Sequence, residues 1–222
     1  MDRKLVVSIL AAAVLGFIAI MLFPGNRDRE GPHKLPWDVT LDDRGRVRVL
    51  GLTLGQTTLA ELQALFGEDG EINLFSPAAG QYSVESYFEQ IYLSGLRADF
   101  VVSLDAPQET LAAMYDHGLR VSRLPGGTQR VKLDPADVAA LRQAPIRHLT
   151  YLPQARLDEA LLERRFGAPA ERITETESGI VHWIYPDKGI DLARDPKGKI
   201  VIQYVDPREL PGIVAALKAH AG

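Results

Sequence analysis

The sequence predicts an α+β fold, with an N-terminal transmembrane helix followed by two modules that each combine a short helix with an antiparallel strand meander. The first observation behind this is a long uncharged run from Leu5 to Phe23. The second is the composition, because 46% hydrophobic and 24% charged residues are ordinary for a globular protein with a sizeable core. The third is a recurring pattern, in which an amphipathic helix ends in Phe-Gly and alternating strands follow.

The run from Leu5 to Phe23 has the length of a membrane-spanning helix. At about 1.5 Å per residue, such a helix spans roughly 28 Å, close to the thickness of the hydrocarbon core. The alternatives are a cleaved signal peptide and a buried helix of a soluble fold. A signal peptide ends in small residues, whereas this run ends in the bulky Met21, Leu22 and Phe23. We therefore expect an uncleaved, single-pass anchor in the inner membrane, with the bulk of the chain in the periplasm.

Shifts in composition and turn residues divide the chain. A stretch rich in Gly and Pro follows the apolar run and is typical of an extended tether. No second apolar run approaches the same length. The predicted segments are a transmembrane anchor over 1–23, a tether over 24–36, a first α+β module over 37–107, a connecting helix-hairpin-helix segment over 108–150 and a second α+β module over 151–222.

The first module is predicted from its helix signals and its alternating strands. Thr57 or Thr58 is expected to cap a helix, and Glu61 stands three residues after Thr58, as in a capping box. Gly67 ends that helix, where a left-handed residue is favoured. Apolar residues alternate in the flanking stretches, which indicates strands. The predicted hairpin covers 38–50, and the two strands cover 84–93 and 96–104.

The connecting segment and the second module are predicted in the same way. Asp134 caps one helix of the connecting segment, and Pro135 suits its first turn. In the second module Phe166 and Gly167 end a helix equivalent to the one that Gly67 ends. The predicted helices cover 108–117, 135–143 and 210–220, and the predicted strands cover 119–124, 128–133, 146–151, 172–176, 180–185, 189–193 and 200–205.

The second module carries a set of short motifs: a helix that ends in Phe-Gly, a meander with Trp-x-Tyr, and a strand after a Gly-Lys turn. In these motifs the chain resembles the small periplasmic domains of the SmpA/OmlA group and of β-lactamase-inhibitor-like proteins. The resemblance implies a helix-on-sheet module that binds other proteins and performs no chemistry. The chain departs from those lipoproteins in having no lipidated Cys, so an apolar helix is expected to anchor it. The matching residues are Leu161, Leu162, Phe166, Gly167, Pro169, Trp183, Tyr185, Gly189, Gly198, Lys199 and Ile200, and in the first module Gly55, Thr57, Leu62, Leu65, Phe66 and Gly67.

The residue types used in catalysis form no recognisable site. The chain has no Cys, which excludes disulfides, thiolate metal sites and a cysteine nucleophile. None of its five His stands in a metal-ligand pair, and Asp187, Asp191 and Asp195 are interpreted as turn residues. The net charge of −4 and the scattered basic residues favour no nucleic-acid partner. We therefore expect no catalytic residue, no metal and no cofactor.

Aromatic residues are the candidate binding groups, because aromatic side chains anchor many interfaces. Packing in the core and between strands is their commoner role. The candidates are Tyr82, Tyr87, Tyr92, Trp183 and Tyr185. The expected function is a membrane-tethered protein-interaction module of the bacterial cell envelope, with an envelope protein as partner. The alternatives are an envelope hydrolase with paired carboxylates and a ligand-sensing domain.

Overall fold

The computed structural model describes residues 34–77 and 80–220. The anchor predicted from Leu5 to Phe23 and most of the predicted tether lie outside the described residues. No helix within the described part of the chain is long and apolar enough to cross a membrane. The residues from Lys34 onward form one unit.

The described residues form five α-helices and thirteen strands. The helices are α1 (Leu59–Phe66), α2 (Gln108–Asp116), α3 (Pro135–Leu141), α4 (Glu159–Phe166) and α5 (Leu210–His220). The strands are β1 (Thr40–Leu41), β2 (Val47–Val49), β3 (Leu52–Thr53), β4 (Glu71–Ser76), β5 (Ser83–Leu93), β6 (Leu96–Leu104), β7 (Arg120–Arg123), β8 (Gln129–Lys132), β9 (Ile146–Pro153), β10 (Glu171–Thr174), β11 (Val181–Tyr185), β12 (Ile190–Arg194) and β13 (Ile200–Tyr204).

Ten strands form one antiparallel sheet, which confirms the α+β class. The strand order is β10-β11-β12-β13-β9-β6-β5-β4-β8-β7, and β1, β2 and β3 form a separate small sheet. The large sheet contains two four-strand meanders, each preceded by a short helix, α1 before β4-β5-β6-β9 and α4 before β10-β11-β12-β13, and the hairpin β7-β8 extends it beyond β4. The fourth strands meet at the centre, where Thr150 of β9 stands opposite Gln203 of β13. This order and direction suit two units related by a two-fold axis perpendicular to the sheet.

Helix α1 begins where the sequence predicts, and both short helices end at the predicted glycines, because these signals are local. Thr58 accepts a hydrogen bond from the backbone N–H of Glu61, and the Glu61 carboxylate accepts one from the backbone N–H of Thr58. Gly67 then adopts a left-handed conformation at the end of α1, with φ +71°. Asp158 caps α4 by accepting a hydrogen bond from the N–H of Leu161 at 2.7 Å. The caps therefore satisfy backbone groups that the first turn of a helix leaves unpaired.

One face of the large sheet carries the main hydrophobic core. Its residues pack with Leu62 of α1 and Phe166 of α4 in a single cluster. Phe166 is only 2% exposed, whereas Phe66 is half-buried and contacts Phe88 and Phe100 with ring centroids 5.2 and 4.7 Å away. On the opposite face, α5 packs in a second, smaller cluster that includes Ile173, Ile184, Val205 and Leu210.

Candidate functional site

The second face of the sheet has a region that belongs to neither hydrophobic cluster. Cross-strand partners share a face, so the strand register places six side chains of β5, β6 and β9 side by side. One row runs through Glu85, Ser103 and His148, and the next row runs through Tyr87, Val101 and Thr150. These six residues, Glu85, Tyr87, Val101, Ser103, His148 and Thr150, are called the open face below.

Two tyrosines stand out on this side of the sheet. Tyr87 is 39% exposed and Tyr92 is 74% exposed. A bulge in β5 separates them, and beyond it Ile91 returns to the core face while Tyr92 pairs with the exposed Arg97. Partial desolvation raises the pKa of Tyr87, and the carboxylate of Asp99 beside it adds to the rise. Both tyrosines therefore offer an exposed aromatic surface.

The carboxylate of Glu209 borders the open face and contacts a histidine and an arginine. The Nε2 atom of His148 lies 2.6 Å from Oε2 of Glu209, and Arg147 contacts Oε1 of the same carboxylate at 3.0 Å. Burial opposes the ionisation of Glu209, but the hydrogen bonds from His148 and Arg147 outweigh it and lower the pKa of Glu209. Burial raises the pKa of Glu85, and the electrostatic attraction of His148 offsets part of that rise. The border therefore holds an ionised carboxylate, while Glu85 is less easily ionised than an exposed glutamate.

A cavity of about 380 Å³ lies next to this border. Arg147 pairs with Glu209, and Arg208 pairs with Asp206 at 2.5 Å. The hydrogen bond from Arg208 lowers the pKa of Asp206. Most charges of the cavity wall therefore neutralise each other. The lining residues are Arg46, Val47, Leu54, Gly55, Asp105, Arg147, Asp206, Arg208 and Glu209.

A buried ion pair lies elsewhere on the same side of the sheet. His182 is 7% exposed and Asp191 is 2% exposed. The Nδ1 atom of His182 lies 2.9 Å from both carboxylate oxygens of Asp191, and its Nε2 atom lies 3.3 Å from Glu175. The hydrogen bond to Asp191 raises the pKa of His182, although burial opposes the rise. With both ring nitrogens occupied and little exposure, this pair suits a structural role.

Asp191 corrects the interpretation of the three acidic residues as turn residues. Asp187 is exposed in a 3-10 turn, and Asp195 accepts hydrogen bonds from the backbone of Lys197 and Lys199, as expected of turns. Asp191 instead lies inside β12, where its partner is a His on the neighbouring strand. The alternating residues of the sequence predicted both strands. They did not predict the strand register that brings the side chains of Asp191 and His182 together.

The five candidate aromatic residues do not form one surface. Trp183 and Tyr185 are 1% and 5% exposed and belong to the main core, where the Tyr185 hydroxyl donates to a backbone carbonyl at 3.0 Å. Tyr82 is half-buried against Tyr115, with ring centroids 5.2 Å apart. Tyr87 and Tyr92 remain on the surface. Sequence reasoning missed the neighbours of Tyr87, such as Thr150, because they come from distant strands.

Within residues 34–77 and 80–220, no group of three or more His, Asp or Glu is placed to hold a metal ion. Compared with protein-family models, with curated proteins and with solved structures, the chain matches none.

Proposed function

We propose that this protein is a membrane-tethered, extracytoplasmic interaction module of the bacterial cell envelope, which binds a partner protein without catalysis. The observation that carries the proposal is the open face. A solvated sheet face is normally polar, but here Tyr87 and Val101 stand among polar side chains. Mixed aromatic, aliphatic and hydrogen-bonding groups are the composition of interface centres. The apolar run from Leu5 to Phe23 supports the tether.

The proposed architecture is a pair of related modules. Each begins with a capped helix that ends in Phe-Gly, α1 or α4, and continues into four antiparallel strands. The first module contains an insertion of α2, β7, β8 and α3 between its third and fourth strands. The two meanders share one sheet, but α5 packs against the second face of the later meander, so the open face lies on the first module alone.

An enzyme remains the second candidate, because Ser, His and an acid approach each other at the open face. Ser103 stands opposite His148, whose Nε2 atom lies 2.6 Å from Glu209. Such a set resembles the order of groups in a nucleophilic triad. No hydrogen bond between Ser103 and His148 is found among the described contacts, however, and the acid is held by Arg147. The geometry therefore favours binding.

Site-specific photocrosslinking in intact cells tests the proposal. A photoreactive phenylalanine analogue replaces Tyr87 or Tyr92, and a matched control places it at Arg44, which is exposed in the β1–β2 turn. We expect a discrete protein adduct from the open-face positions and none from Arg44. Equal adducts from all positions, or none at Tyr87, would contradict the proposal. If Ser103→Ala alone abolished the function of the protein in cells while the protein stayed folded, the result would favour the enzyme.

A further inference from the structure

Among the residues that the structure describes, β7 pairs only with β8 and is last in the strand order, so it forms an edge of the large sheet. The backbone N–H of Leu124 donates to the carbonyl of Thr128 at 2.8 Å, which makes these two a hydrogen-bonded pair. Bonded pairs alternate along an antiparallel ladder. Val121 and Arg123 therefore direct their N–H and C=O groups away from β8, toward the free edge.

Apolar side chains are exposed in this edge strand and immediately before it, at Val121 and Leu119. Leu119 is 57% exposed and Val121 is 50% exposed, and both are among the large exposed hydrophobic residues of the described chain. Natural proteins usually protect an edge strand from pairing with other chains. An apolar, unpaired edge of this kind is therefore suited to receive another strand.

Basic side chains gather on the other side of the β7–β8 hairpin. Arg120 stands directly opposite Lys132, and like charges in this position repel. With Arg130 they line a concavity of about 330 Å³ that also includes Ser122, Asn73 and Glu71, so three basic side chains share it with one carboxylate, which accepts a hydrogen bond from Asn73. The side chains of the three basic residues make no ion pair or hydrogen bond among the described contacts. An acidic ligand would relieve their repulsion.

We propose that β7 binds an extended acidic segment of a partner protein as an added strand. The segment's backbone pairs with Val121 and Arg123. Its alternate side chains then face the two sides of the sheet, because successive residues of a strand point in opposite directions. Acidic residues meet Arg120 and its basic neighbours, and apolar residues meet Leu119 and Val121. This site is separate from the open face and does not depend on it.

Fluorescence anisotropy tests the site with the full chain in mild detergent. The ligand is a fluorescein-labelled octapeptide in which glutamate and valine alternate, and a peptide with lysine in place of glutamate is the control. We expect the acidic peptide to bind and the basic one not to bind. Reversing two charges together, Arg120→Glu with Lys132→Glu, should exchange this preference. Arg44→Ala, far from the hairpin in sequence, should change neither.

Two measurements separate strand addition from simple charge attraction. Val121→Pro removes an outward N–H on an edge strand, where proline is tolerated, and should weaken binding at least tenfold. A peptide N-methylated at the residues that bond to β7 should lose binding to the unmodified protein in the same way. If neither Val121→Pro nor N-methylation changed binding, and inorganic phosphate competed with the peptide, the site would be a plain anion site and the proposal would be overturned. Failure of the acidic peptide to bind at all would also overturn it. Neither result bears on crosslinking at Tyr87.

Discussion

Removal of Asp191 should destabilise the protein in a manner that depends on pH. Asp191 and His182 are both buried, and truncating one partner of a buried ion pair costs about 3–5 kcal/mol. Glu175 stays near Nε2 of His182 at 3.3 Å and is partly solvated, so we expect Asp191→Ala to cost about 3 kcal/mol, the lower end of that range. Asp187→Ala, in the exposed turn, is the matched control and should cost about 0.5 kcal/mol or less.

The pH dependence follows from the raised pKa of His182, whose ordinary value is 6.5. A group with a raised folded pKa stabilises the fold fully below its unfolded pKa, and this contribution is lost as the pH rises through the folded pKa. The cost of Asp191→Ala should therefore be greatest below pH 6.5 and should shrink at alkaline pH.

Urea unfolding followed by tryptophan fluorescence, from the buried Trp183 and the half-buried Trp37, measures these free energies at an acidic and an alkaline pH. Three outcomes would refute the reasoning: an equal cost at both values, a cost that grows with pH, or a cost no larger than that of Asp187→Ala.

Three further predictions concern packing, backbone conformation and the N-terminus. Phe166→Ala should lower the free energy of unfolding by about 3–5 kcal/mol, and Phe66→Ala should lower it by less because Phe66 is only half-buried. Equal losses for the two variants in urea unfolding would contradict this packing. Gly67→Ala should cost about 1–2 kcal/mol for its left-handed φ of +71°. Gly189→Ala should lower the free energy of unfolding by about 1–3 kcal/mol more than Gly67→Ala does, because a methyl group at Gly189 would lie 2.3 Å from a backbone oxygen. Similar melting temperatures of the two variants would exclude this clash. N-terminal sequencing of membrane-purified protein should find a start before the apolar run of Leu5 to Phe23, and a start between Pro24 and Trp37 would indicate cleavage.

Local signals predicted most helices and strands well. The cap at Thr58 and the stop at Gly67 act within one or two turns, so their effect can be predicted from adjacent residues alone. The strand β4 was not predicted. Its sequence, from Glu71 to Ser76, mixes polar and apolar residues, because Glu71 and Asn73 belong to the solvated side while Leu74 enters the core. A strand of this kind is recognisable only through its partners β5 and β8.

The sequence by itself determined the fold class, the helix caps and the alternation that sends His182 and Trp183 to opposite faces. Only the tertiary structure decided that the two meanders share one sheet, that Trp183 and Tyr185 are enclosed while Tyr87 is not, and that Asp191 meets His182. The physical reason is the range of the interactions. Caps and alternation depend on neighbouring residues, whereas strand order and register depend on which distant apolar faces bury each other. A shift of the strand register by one residue would exchange the core face for the open one.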